Sequence, residues 1–192
     1  SGTLTKQGTG KVTLSGANTY SGGTTVSAGT LEGTTTSLQG NIADNAAVIF
    51  NQSIDGTYAG ILSGSGTLTK QGTGKVILSG ANTYSGGTTV SAGTLEGTTT
   101  SLQGNIVDNA AVIFNQSIDG TYAGILSGSG TLTKQGTGKV ILSGANTYSG
   151  GTTVRAGTLD GTTTSLQCNM VDNAAVIFNQ RVDGTYASVL SC

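Results

Sequence analysis

Residues 2–31 read GTLTKQGTGKVTLSGANTYSGGTTVSAGTL, and the same string returns, with isolated changes, from Gly66 and from Gly130. Around it the chain is one 64-residue unit written three times, at 1–64, 65–128 and 129–192, aligned without a gap. The first two units differ only at Thr13 against Ile77 and Ala43 against Val107. A fixed period of this length signals stacked units that share a continuous core, so 1–192 reads as a single elongated repeat domain. The period also constrains function, because a catalytic pocket is normally one constellation and here every residue set recurs almost unchanged.

Thirty-three glycines, no proline and 9% charged residues leave Thr, Ser and Asn to fill the polar positions. Disordered chains carry high charge and lack recurrent β-branched and aromatic positions, so disorder is a poor reading. The net charge of −1 is spread evenly rather than gathered into a basic stripe, which argues against nucleic-acid binding. No stretch approaches the roughly 20 apolar residues that cross a bilayer, and no N-terminal export signal is visible, so direct membrane insertion is not expected. Starting and stopping in phase with its repeat, the chain reads as a piece of something larger.

Within the first unit, β-prone runs at 3–6, 11–15, 24–32, 46–52 and 57–63 are bounded by Gly or Asn. Val12, Leu14, Val26, Leu31, Val48 and Phe50 are the expected inward core columns, and Val12/Leu14 and Val48/Phe50 show the period of two expected of strands. Residues 37–48, interrupted by Gly40, read as a loop or irregular corner. No helical stripe is present. A propeller needs hairpin turns, and only Asp55-Gly56 has that form. The expectation is an all-β parallel solenoid of about nine coils, three per 64-residue unit, if a coil takes about 20 to 24 residues.

The quoted segment, covering about half of each unit, closely resembles the passenger-associated transport repeat of bacterial autotransporters. The resemblance implies a right-handed parallel β-helix, secreted to the bacterial cell surface through the outer-membrane β-barrel translocator of a parent protein. There the repeat assists secretion and folding of a passenger stalk.

The two cysteines depart from that pattern. Cys168 replaces the glycine at Gly40 and Gly104, and Cys192 the glycine at Gly64 and Gly128. Their 24-residue separation is close to the assumed coil, which favours a Cys168–Cys192 disulfide on adjacent coils, free thiols and an intermolecular link being the alternatives.

No histidine occurs, which removes Ser-His-Asp and Cys-His chemistry and the usual zinc ligand. Glu32, Asp44 and Asp55, with their repeats, read as solvated corner residues rather than a calcium ladder. Asn18, Asn41, Asn45 and Asn51 either form amide ladders or cap their own turns. Tyr20 and Tyr58 are expected to pack over glycine corners with their hydroxyls in solvent. The threonines at 24–25 and 34–36 are too irregular for an ice-binding plane. No catalytic, cofactor or metal site is expected. The functional expectation is a structural stalk that presents an adhesive surface, with self-association or a host-surface ligand as partner. The alternatives are a self-associating or carbohydrate-binding module and, less well supported, an ice-binding solenoid or a carbohydrate-active enzyme.

Overall fold

A computed structural model describes residues 1–192. The chain forms 23 strands of two to five residues and no helix, so none is long and apolar enough to cross a membrane. The first unit supplies β1 (Leu4–Lys6), β2 (Lys11–Thr13), β3 (Thr24–Val26), β4 (Thr30–Gly33), β5 (Ile42–Asp44), β6 (Ala47–Asn51), β7 (Gly56–Tyr58) and β8 (Leu62–Ser63). The second begins with β9 (Thr67–Gln71) and β10 (Lys75–Leu78). Every pairing is parallel and joins a strand to one a full turn away, which makes the fold a parallel β-solenoid of about nine to ten turns.

Three faces result. Leu4, Thr24, Ile42 and Leu62 stack on the first, through β1, β3, β5 and β8. Val12, Leu31, Val48 and Leu68 stack on the second, through β2, β4, β6 and β9. On the third, β7 carries Gly56 beneath Val76 of β10, with Leu95 above. At about 4.8 Å between rungs, the rod is on the order of 45 Å long.

The expected grouping of three coils per unit is corrected by this register. One turn takes 20 residues from Leu4 to Thr24 but only 17 from Thr30 to Ala47. The turns are therefore shorter than assumed, and 64 residues carry the chain through about three and a third turns. Equivalent strands consequently change face from unit to unit: Val12 stacks with Leu31 on the second face, Val76 lies on the third, and Val140 belongs to the sheet that continues the first.

Two local expectations also change. The run 24–32 is broken at Gly29, whose φ of +70° turns the corner between β3 and β4. A Cβ there would collide with the carbonyl oxygen of Gly10 on the corner below, so only glycine lets the corners stack. The supposed loop 37–48 contains β5 and the start of β6; its strand signal is hidden because one of the two inward residues of β5 is Asp44.

The interior is one cluster of 28 buried apolar residues running from Val26 to Met170. Val26, Leu31, Val48 and Phe50 are fully inside it. Val12 is 42% exposed and Leu14 only half-buried, because their rung is covered from one side alone; the counterparts Val76, Leu78, Val140 and Leu142 are buried. Phe50 packs against Tyr58 with ring centroids 5.0 Å apart, a tilted pair repeated at Phe114 and Tyr122.

Candidate functional site

Charged side chains lie inside this rod, which the sequence reading did not foresee. Lys6, Val26 and Asp44 share one inward column, and Lys70, Val90 and Asp108 repeat it one face on. Lys70 is 1% exposed, and its Nζ donates to the carbonyls of Gln71 at 2.7 Å, Gly72 at 2.7 Å and Ala92 at 3.1 Å. Lys6 and Lys134 are caged in the same way. Three N–H groups thus meet three oxygens on two successive corners, which is how a buried ammonium is tolerated without a counter-ion. Burial still lowers the pKa of Lys70 and Lys134.

Asp44, expected to be solvated, is 3% exposed. Burial pushes its pKa up to about 6, against the opposing pull of the Ala46 and Val48 amides; the Ala46 N–H lies 2.9 Å from Oδ1. Asp108 behaves alike, also at about 6. Glu32 is buried as well, in an outward ladder across three rungs: Lys11 Nζ reaches Oε2 at 2.8 Å and Asn51 Nδ2 reaches Oε1 at 3.0 Å. Those two hydrogen bonds hold Glu32 below the usual carboxylate range. Lys75, Glu96 and Asn115 repeat the ladder. In the third unit Asp160 is one methylene shorter, so Lys139 stands 3.9 Å away and the buried Oδ1 has no partner.

The asparagines do not stack on one another or cap their own turns. Asn82 accepts from the Leu62 amide at 2.8 Å and donates to the Ser101 carbonyl at 2.7 Å, bridging the rungs on either side where no strand forms. Asn41 accepts from Ile61 N at 2.9 Å in the same manner. The tyrosine hydroxyls are likewise not in solvent: Tyr58 is buried and donates to the Gly40 carbonyl, while Tyr84 pairs with Thr88 Oγ1 at 2.9 Å. Burial raises the pKa of both phenols.

Cys168 and Cys192 are free thiols, which corrects the expected disulfide. The rung there is 20 residues, Met170 lying under Leu190 and Val171 under Ser191, so a 24-residue separation overshoots by four positions along the strand direction, roughly 13 Å. Cys168 Sγ instead lies 2.6 Å from the Tyr148 carbonyl.

The remaining polar residues converge on an outer notch. Residues 34–36 form its lower lip and residues 51–55 its wall, enclosing about 290 Å³ lined by three threonines, Asn51, Gln52, Ser53, Ile54 and Asp55. The equivalent notch of the second unit, at 98–100 and 115–119, encloses about 280 Å³. Gln52 fixes the wall by joining three rungs: Oε1 accepts from Thr35 N at 2.8 Å, and Nε2 donates to the carbonyls of Ile54 at 2.8 Å and Lys75 at 3.1 Å. Asp55 Oδ1 accepts from Lys75 N at 2.8 Å. Sequence reasoning singled out Asn51, Asp55 and the threonines separately, but their meeting depends on a 17-residue rung.

Comparison with known proteins agrees with the resemblance seen in the sequence. The family model of the passenger-associated transport repeat matches residues 4–32, 68–96 and 132–160, so the chain carries three such repeats. The chain is also 39% identical to the adhesin BmaC autotransporter of Brucella suis biovar 1 (strain 1330), over an alignment of 185 residues that takes in 81% of this chain. It spans 5% of that adhesin's length. No solved structure matches the chain. Passenger repeats of this type imply a secreted or cell-surface location.

Proposed function

We propose that these three passenger-associated transport repeats form one continuous section, residues 1–192, of the stalk of a surface-exposed autotransporter passenger. In this reading the stalk is a right-handed β-helix with a mechanical role and no catalytic one, and it presents an adhesive surface. A parent outer-membrane β-barrel serves as its translocator. The observation that carries the proposal is the coincidence of three transport repeats with an apolar cluster that runs unbroken from unit to unit. Because each rung templates the next, folding that starts at one end propagates along the rod and favours outward movement of a chain emerging from a pore.

The test fuses the chain upstream of an autotransporter barrel in a Gram-negative host and measures surface arrival by protease accessibility. Replacing the buried Leu95 and Leu159 by Asp is expected to stall the passenger in the periplasm. Undiminished surface arrival of that variant, together with a loss of its β-type circular dichroism, would overturn the folding-coupled role.

A second reading, a carbohydrate-binding adhesin module, is favoured by the two polar notches. Self-association is tested by concentration-dependent sedimentation. An ice-binding plane is disfavoured, because the unit advances by a third of a turn and spreads its threonines over three faces.

A further inference from the structure

We propose that the notches at 34–36/51–55 and 98–100/115–119 are binding sites for a neutral oligosaccharide, each holding one or two sugar rings. The inference rests on the adhesive-surface reading above and assigns its ligand and residues. Each notch approaches the lower end of the roughly 300 to 1,000 Å³ typical of small-molecule sites. Seven of its eight lining residues are polar.

Sugars are recognised by donors and acceptors for hydroxyls beside an apolar surface for the C–H face of the ring. Asn51 Oδ1, Thr35 Oγ1, Ser53 Oγ and Asp55 Oδ2 make no hydrogen bond within the chain, although the partner atoms Asn51 Nδ2 and Asp55 Oδ1 and the Thr35 amide are tied down. Their positions are thereby set in advance while their free atoms remain available, which lowers the cost of ordering on binding. Ile54, 80% exposed, supplies the apolar surface at the rim, and Ile118 repeats it. Asp55 is the one charged residue of its notch, so an anionic ligand is disfavoured.

The third unit differs where the proposal needs it to. Arg181 stands in place of Ser53 and Val182 in place of Ile54, Gln180 Nε2 reaches Thr163 Oγ1 as well as the Val182 carbonyl, each at 3.2 Å, and the notch at 162–164 and 179–183 widens to about 570 Å³ with a guanidinium in its wall. Two sites per chain are therefore expected. They are separated by three and a third rungs, about 16 Å along the rod, and face directions a third of a turn apart, so a short oligosaccharide occupies one at a time and the sites fill independently.

The experiment titrates the 192-residue chain with maltotriose, chitotriose and mannotriose, and with sialyllactose as the anionic probe, following the Ile54 and Ile118 methyl resonances by NMR. At least one neutral probe is expected to shift both methyls saturably and equally, with a dissociation constant on the order of 1 mM and two equivalents bound. Ser53→Arg combined with Ser117→Arg, transplanting the third-unit residue, is expected to abolish both shifts while circular dichroism and surface arrival stay unchanged. No saturable shift with any neutral probe, a stronger response to sialyllactose, or shifts that survive the double substitution would overturn the proposal. The stalk reading is judged separately, since it fails only if the fold or surface arrival of the unmodified chain fails.

Discussion

Cys168 occupies a backbone position with φ of +65°, where the two earlier units have Gly40 and Gly104 at +66°. A side chain in that left-handed region costs about 1 kcal/mol or more, so Cys168→Gly is expected to raise the unfolding free energy by about that amount in urea titration. Asp160→Glu, which restores the carboxylate length of Glu32 and Glu96, is expected to add about 1 to 2 kcal/mol by giving the orphaned oxygen its partner, measured in the same way. The buried carboxylates make a pH prediction. Asp44 and Asp108 sit near 6 in the folded chain against about 3.9 when unfolded, so the folded state binds more protons between those values. Their contribution is fully present below about pH 4 and is lost as the pH rises through 6. Stability measured at pH 4.5 should therefore exceed that at pH 7.5 by a few kcal/mol, because a tenfold change in proton affinity is worth about 1.4 kcal/mol for each carboxylate, reduced by screening from nearby solvent. Asp44→Asn with Asp108→Asn should flatten the dependence. Glu32 acts in the opposite sense, but its lowered pKa confines its effect to more acidic solution.

At the level of the strand and its corner, the apolar alternation in β6 and β10 was readable because Val and Phe or Leu point inward at every second position. In β5 and β9 it was obscured, since Asp44 and Lys70 take inward positions that pattern reasoning reserves for apolar residues. What makes Lys70 tolerable is the pair of corners around it, whose carbonyls belong to residues 71, 72 and 92 and come together only after a full turn. Lys70→Met keeps the length and the apolar stem but strands three buried acceptors. It is expected to cost roughly 3 kcal/mol or more by chemical denaturation, with the loss of amide protection from hydrogen exchange centred on residues 71–72 and 92–93. The candidate notch was partly legible in the same way: its residue types stood out in the sequence, whereas the contact of 34–36 with 51–55 needed the length of the intervening turn.

For the rod as a body, the consequence of the turn length is a screw arrangement in which the same 64 residues face a new direction in each unit. Spin labels at Ile54→Cys and Ile118→Cys, placed in a chain that also carries Cys168→Gly and Cys192→Gly, report on this directly by pulsed electron paramagnetic resonance. Three coils per unit would put the labels on one face about 14 Å apart, whereas three and a third turns put them on different faces, at a distance clearly longer than the axial rise of about 16 Å. The order of residues was enough to establish the repeat, the all-β coil and its apolar columns, because short Gly-bounded strands of Val, Leu and Phe that recur at a fixed period bury those side chains by stacking on their own kind. How many residues close a turn, which charged side chains lie inside, and that Cys168 and Cys192 stand apart emerged only from the folded rod. Those outcomes depend on how successive corners nest and on which carbonyls and amides of the neighbouring rung are left to satisfy a buried group, and neither is encoded in the order of residues along one coil.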